Sequence, residues 1–188
     1  MTKFTAAERD KFGSHEAKKA KVPQVGLFFV VNGKPWLEGL PWTENLGKRL
    51  VKSPKIYFRD SGIFHSLLGL EKGRDIETHP KLGASWEGFA LESVLRVLEV
   101  PSDEAYFWAT HNQAELDLLV LKGGKRFGFE FKFTDAPRTT KSMASALDDL
   151  GLESLYVVFP GDQRFPLGTK TEALGLALIK SLSVPPRP

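Results

Sequence analysis

Apolar runs separated by polar, turn-rich joints divide the chain, and the spacing within each run predicts its structure. The longest periodic signal runs from about Gly83 to Val100. There Glu87, Ala90, Leu91, Val94, Leu95 and Leu98 recur at i, i+3 and i+4, which marks one face of a helix that ends before Pro101. Glu92, Arg96 and Glu99 fall on the opposite face, so Glu92 reads as an ordinary surface acid able to pair with Arg96. Ala105–Thr110 (AYFWAT) reads as a strand, with His111-Asn112-Gln113 as its turn. Ala114–Thr134 then reads as two strands joined at Lys122-Gly123-Gly124-Lys125, where two central glycines accept positive φ without steric cost. Thr139 or Thr140 caps a helix through Met143, Ala146, Leu147 and Leu150, closed by Gly151. The unbroken apolar run Ser154–Phe159 marks a buried strand. Gly161–Gly168 reads as a loop, and Thr171–Leu182 as a last apolar helix.

The first part of the chain carries weaker signals. Met1–Lys21 is polar, and its basic run (Lys18, Lys19, Lys21) reads as a solvated terminus. Val22–Val31 reads as a strand, followed by the turn Asn32-Gly33. Pro35-Trp36 and Pro41-Trp42 mark an irregular segment whose rings pack onto the core. Ile56-Tyr57-Phe58 resembles a short strand, and Asp60 or Ser61 caps a helix from Ile63 to Leu70 that contains His65 as a packed or surface residue. Glu71–Lys81 reads as a polar loop.

These signals divide the chain into an N-terminal arm with an apolar strand (1–44), a linker with a helical remnant (45–80) and an α/β domain (81–188). In the last, the order helix, strand, strand, strand, helix, strand predicts a meander plus a parallel strand added by a crossover helix. The expected result is a mixed sheet flanked by helices.

Composition narrows the function classes. With 188 residues, 41% of them hydrophobic and 26% charged, the chain is long enough for a real core and polar enough for a globular protein. It has no cysteine, so disulfides and zinc–thiolate sites are excluded. No apolar run reaches membrane-spanning length and the N-terminus lacks a signal-peptide core, so a cytoplasmic location away from membranes is the simplest expectation. No phosphate-binding Gly-rich loop is present, which excludes an ordinary NTPase within this chain. A net charge of +3 is compatible with nucleic acid. Lys48, Arg49, Lys52 and Lys55 cluster between Asn45 and Tyr57, as either a phosphate-facing patch or a solvated loop.

The hairpin holds the candidate chemistry. With Gly123 and Gly124 as the loop, Lys122 faces Lys125, Val120 faces Phe127, Leu118 faces Phe129 and Leu116 faces Phe131 on one apolar face that extends to Phe133. The other face sets Asp117 opposite Glu130 and Glu115 opposite Lys132. Facing carboxylates lie roughly 5 Å apart at Cβ and repel. Such a pair is tolerable when solvated, when it shares a proton, or when it holds a cation. Glu87, on the edge of an apolar stripe, needs a partner, a proton or a metal, unless it stays open to water in the first helical turn.

An acid on the first helix, an Asp on the second strand and Glu-x-Lys on the third (Glu87, Asp117, Glu130, Lys132) match the order of the PD-(D/E)xK nuclease superfamily. Longer strings, among them NLGKRLVKSPKIYFRDSGIFHSLLGL, GASWEGFALESVL, FWATHNQAELDLLV, GFEFKFTDAPRTTKSM and LYVVFP, resemble the C-terminal nuclease-like domain of a large prokaryotic family that also carries an AAA-type ATPase module and a winged-helix-like linker. The resemblance runs from about Pro41 to Leu182, and the ATPase module lies outside this sequence. It implies a restriction-endonuclease-like fold and a Mg²⁺- or Mn²⁺-dependent nuclease. Asp117, Glu130, the Phe131 carbonyl and Glu87 would be metal ligands, Lys132 the catalytic amine, and Glu115 an attendant of Asp117. Arg138, Lys141, Lys48, Arg49 and Lys52 would contact nucleic acid, with an ATPase partner supplied in trans. The rival expectation is a non-catalytic module of the same fold that binds nucleic acid or protein.

Overall fold

A computed structural model describes residues 55–100, 105–110 and 114–182, together with the strand backbones at 28–29 and 36–39. The expected strand at Val22–Val31 is described only at Phe28–Phe29. Lys18, Lys19, Lys21, Lys48, Arg49 and Lys52 lie outside the described residues.

Strands β1 (Phe28–Phe29), β2 (Trp36–Gly39) and β3 (Lys55–Phe58) form a small antiparallel sheet in that order. The stretch around Trp36, read above as irregular, is therefore strand backbone over 36–39, paired residue for residue with β3. Helix α1 (Ser61–Leu67) follows, its first turn tied down by the Asp60 carboxylate accepting the Ile63 N–H at 3.0 Å. The polar stretch before the main helix is not a plain loop, since it contains the short helix α2 (Gly73–Glu77).

Helix α3 (Leu82–Val97) covers one face of a six-stranded mixed sheet. The strands are β4 (Ala105–Ala109), β5 (Glu115–Lys122), β6 (Lys125–Phe131), β7 (Ser154–Phe159), β8 (Arg164–Pro166) and β9 (Thr171–Gly175), in spatial order β4-β5-β6-β7-β9-β8. β4, β5 and β6 are antiparallel neighbours, and β7 joins β6 in parallel. Between them helix α4 (Lys141–Leu150) crosses to the other face of the sheet. Its ends follow the expected chemistry: Thr140 Oγ1 accepts the Met143 N–H at 3.2 Å, and Gly151 closes it at φ 58°.

Two apolar layers result. Leu91 and Val94 of α3 pack with Phe107, Leu118, Val120, Phe127 and Phe129. Met143, Ala146 and Leu150 of α4 pack with Trp108, Leu116, Leu119 and Val157. Each such Leu or Val, fully buried, contributes about 1.5–3 kcal/mol.

Two further expectations are corrected by pairing. Thr171–Leu182 is not a helix: β9 lies parallel to β7 and antiparallel to β8, and only Leu176–Ser181 turns, as a 3₁₀ helix. A short apolar run suits a buried strand as well as a helix, and here the free edge of β7 decides. The loop expected at Gly161–Gly168 accordingly contains β8. Glu92 is not a surface acid. It is buried at 9% exposure, because Arg59 beyond β3 reaches it at 3.1 Å and Arg96 at 3.5 Å.

Candidate functional site

The Gly-Gly turn forms as expected, with φ of 60° and 71°, and pairs Lys122 with Lys125, Val120 with Phe127 and Leu118 with Phe129. The ladder is regular to that point. On its other side β5 meets β4 with a shift: Tyr106 pairs with Leu119 and Trp108 with Leu116, so Phe107 alone stands opposite both Asp117 and Leu118. This extra residue is a bulge, which bends a strand and re-aims side chains. Its effect shows in the packing. Leu116, expected on the same face as Leu118 and Val120, packs instead with Leu119 against α4. That expectation failed because strict alternation breaks at Asp117.

The bulge gives Asp117 a structural task. Its Oδ2 accepts the backbone N–H of Phe131 at 3.0 Å, a donor that an unbroken ladder would aim at the backbone of β5. This contact engages the Phe131 N–H and not the carbonyl expected as a metal ligand. The other oxygen, Oδ1, lies 3.0 Å from the ammonium of Lys55. The same ammonium is 3.6 Å from Glu87 Oε1 on α3 and 3.7 Å from Glu115 Oε2 at the start of β5. Lys55 therefore sits among carboxylates from two elements, with the face of the Phe107 ring 5.7 Å away. Tyr57, two residues along β3 and on the same side of it, donates its hydroxyl to Glu87.

Glu130 and Lys132 form the second half. β6 runs parallel to β7, and the Lys132 N–H extends that ladder to the Val158 carbonyl at 3.0 Å. Lys132 Nζ holds Glu130 Oε1 at 2.7 Å. Glu130 Oε2 is buried and has no hydrogen-bond partner among the described residues.

The electrostatics follow from that geometry. Burial and then the Asp117 charge push the Glu130 carboxyl up to about 7, against the pull of Lys132. Burial and Asp117 also raise Glu87, although Lys55 and Tyr57 oppose the rise. Burial would lower the Lys55 ammonium, but Asp117, Glu87 and Glu115 together hold it well above its ordinary value. Lys132 is likewise raised: burial would lower it, but Glu130, with Asp117 and Glu87, outweighs that. Burial and the Glu87 charge raise Tyr57, which keeps it a neutral donor.

Of the residues expected at the site, Glu87, Glu115 and Asp117 are brought together around one cation, and Glu130 with Lys132 stands next to Asp117. Arg138 and Lys141 are exposed near the start of α4, where Ser142 hydrogen bonds both backbone groups of Glu115. In the sequence Lys55 belongs to the basic patch, and Tyr57 carries no mark of a role. The available signal was their spacing of two, with Tyr57 on the expected strand Ile56–Phe58 and Lys55 just before it, on the same side if the strand begins one residue earlier.

The donors suit a hard divalent cation in kind: oxygens only, one of them a buried carboxylate oxygen with no partner among the described residues, and an ammonium already held by acids. They do not suit it in spacing. Among the described residues, no three His, Asp or Glu side chains are gathered closely enough to hold a metal. Among them, too, no helix is long and apolar enough to cross a membrane.

A family model described as "Domain of unknown function (DUF4143)" matches residues 82–179, and another, "Domain of unknown function (DUF8612)", matches residues 38–74. Uncharacterized proteins of Mycobacterium tuberculosis and Mycobacterium bovis are each 48% identical over 134 residues, 71% of this chain. The matched segment spans 30% of each relative's length. No solved structure matches the chain.

Proposed function

Since the chain belongs to the DUF4143 family through residues 82–179, a description that assigns no activity, we propose from its site that the domain is a metal-dependent nuclease or a direct derivative of one. The observation that carries this reading is Glu130. Its carboxylate is buried to 3% exposure, tied to Lys132 through one oxygen and left without a partner among the described residues at the other, beside Asp117. A purely structural acid is satisfied at both oxygens or solvated, because an unpaired buried oxygen costs about 1–3 kcal/mol.

In this reading the sheet is a restriction-endonuclease-like core, with α3 supplying Glu87, β5 Asp117 and β6 Glu130 and Lys132. Asp117, Glu130 and Glu87, too far apart as they stand, would have to draw together to hold a Mg²⁺ or Mn²⁺ ion. When bound, that ion supplies a nucleophilic water and relief of charge on the leaving oxygen. Lys132, charged and half-exposed, orients a phosphate or the attacking water beside Glu130. Tyr57 keeps Glu87 oriented by its hydroxyl hydrogen bond. Arg138 and Lys141 offer phosphate contacts at the same end of the sheet. The substrate is DNA or RNA, and an ATPase acts with the domain.

The test is cleavage of plasmid, linear duplex and single-stranded DNA and of RNA, with Mg²⁺ or Mn²⁺. Lys132→Ala and Asp117→Asn should each lose about 10²-fold or more. Equal cleavage by both variants and the parent protein sinks the proposal. One observation favours the rival, a non-catalytic binding module: Lys55 offsets part of the charge of Glu87, Glu115 and Asp117 without a metal. Retention of substrate affinity with no cleavage in any metal would select that reading.

A further inference from the structure

Helix α3 buries one face against the sheet and carries a stripe of different character on another. Trp86, Phe89, Ser93 and Arg96 recur there at helical spacing, so they line up over about 15 Å. At one end the stripe meets Phe133, just beyond β6. The Trp86 ring stands 5.9 Å from that of Phe133 and 6.1 Å from that of Phe89. Phe133, expected to continue the apolar face of β6, is 51% exposed, and Phe89 is 46% exposed. Towards the other end Phe89, Ser93 and Arg96 line a cleft of about 400 Å³ together with Arg59 and Ser61. The acids of that cleft are already engaged. Asp60 accepts the Ile63 N–H, and Glu92 is held by one nitrogen each of Arg59 and Arg96, so donors remain on both guanidinium groups. The aromatic end adjoins the candidate site, since Trp86 precedes Glu87 and Phe133 follows Lys132.

We propose that this stripe is a track for single-stranded nucleic acid, with bases stacked on Phe89 and Phe133 and the backbone held by Arg59 and Arg96 in the cleft. This rests on the nucleic-acid side of the reading above and names the form of strand bound; it needs no metal. The ground is shape and charge together. Two half-exposed rings, each braced by Trp86, offer flat apolar faces to a base. Guanidinium groups at one end and the Lys132 ammonium beyond the other suit a polymer in which phosphates recur between bases. A duplex covers its base faces by stacking, so surface rings reach them only where the strand is single or splayed. A strand laid along the stripe leads from the cleft to the end of α3 that carries Glu87.

Fluorescence anisotropy of a labelled mixed-sequence oligonucleotide, titrated with the full chain in EDTA, reads affinity apart from metal and cleavage. The single strand should bind at least about tenfold more tightly than its duplex. Phe89→Ala and Phe133→Ala should each weaken strand binding by about 5- to 100-fold, whereas Phe89→Tyr and Phe133→Tyr retain it. Leu67→Ala, at an exposed apolar position on α1 outside the stripe, should leave it unchanged. Arg96→Gln should lower the slope of log affinity against log salt by about 0.7. Equal affinity for strand and duplex, alanine variants that are folded by circular dichroism and bind like the parent, or a slope that ignores Arg96 overturns the proposal. Should an alanine variant lose its fold, ultraviolet crosslinking of the unaltered protein to the same oligonucleotide decides. Crosslinks in peptides carrying Phe89 or Phe133 are expected; crosslinks only elsewhere, or none, overturn it. Ring-dependent strand binding with no cleavage in any metal would support this proposal and reject the nuclease reading. Metal-dependent cleavage with strand affinity unmoved by either phenylalanine variant would do the reverse.

Discussion

Asp117 and Phe131 are joined by a hydrogen bond of 3.0 Å from the backbone N–H of one to the side chain of the other, at the point where the β5–β6 ladder stops. A carboxylate has replaced a backbone carbonyl as acceptor. The strand is thereby opened, and the same carboxylate is free to hold Lys55 with its second oxygen. Structure and candidate chemistry share one residue, so substitutions there separate the two roles.

Asp117→Ala removes the acceptor of a buried N–H as well as the partner of Lys55. It should cost about 2–4 kcal/mol in urea or thermal unfolding. Asp117→Asn keeps an amide oxygen for Phe131 and should cost clearly less. Equal losses in the two variants would show that the Phe131 contact carries no weight.

Glu130 makes stability depend on pH in a defined direction. Its carboxyl is raised from 4.5 to about 7, so the folded state binds the proton more tightly than the unfolded chain does. The stability it contributes is full below about pH 4.5 and is lost as pH rises through about 7. Glu130→Gln cannot titrate. It should therefore flatten this part of the profile and gain roughly 1–3 kcal/mol over the parent at pH 8, with no gain at pH 4. Melting curves across that range check the sign, and a variant that gains at acid pH contradicts it.

Glu92 joins α3 to the segment beyond β3 through Arg59, and to its own helix through Arg96. The Arg59 contact is shorter and less exposed, at 31% for its side chain against 77% for Arg96. Double-mutant cycles should give about 1 kcal/mol of coupling for Glu92–Arg59 and about 0.3–0.5 kcal/mol for Glu92–Arg96. High salt should erase the second first. The opposite ranking would mean that the helical pair, not the link to β3, holds this acid.

Local chemistry alone determined much of the architecture: the Gly-Gly hairpin and its register from Leu118 to Lys125, the Thr140 and Gly151 caps, the α3 apolar stripe and the buried strand at Ser154–Phe159. Each depends on neighbours a few residues away, which a sequence displays directly. Only tertiary structure decided the bulge at Asp117, because it arises from pairing with β4, a strand whose register the hairpin does not set. The same holds for Lys55 among Glu87, Glu115 and Asp117, and for Glu92 between two arginines. A charge is solvated or paired according to what packs beside it, and in these cases the partner sits 32 to 62 positions away along the chain or on a neighbouring turn. Glu130 divides between the two. Its type and its spacing from Lys132 are written locally, whereas its burial, its unpartnered oxygen and its raised carboxyl exist only once Asp117 has been folded against it.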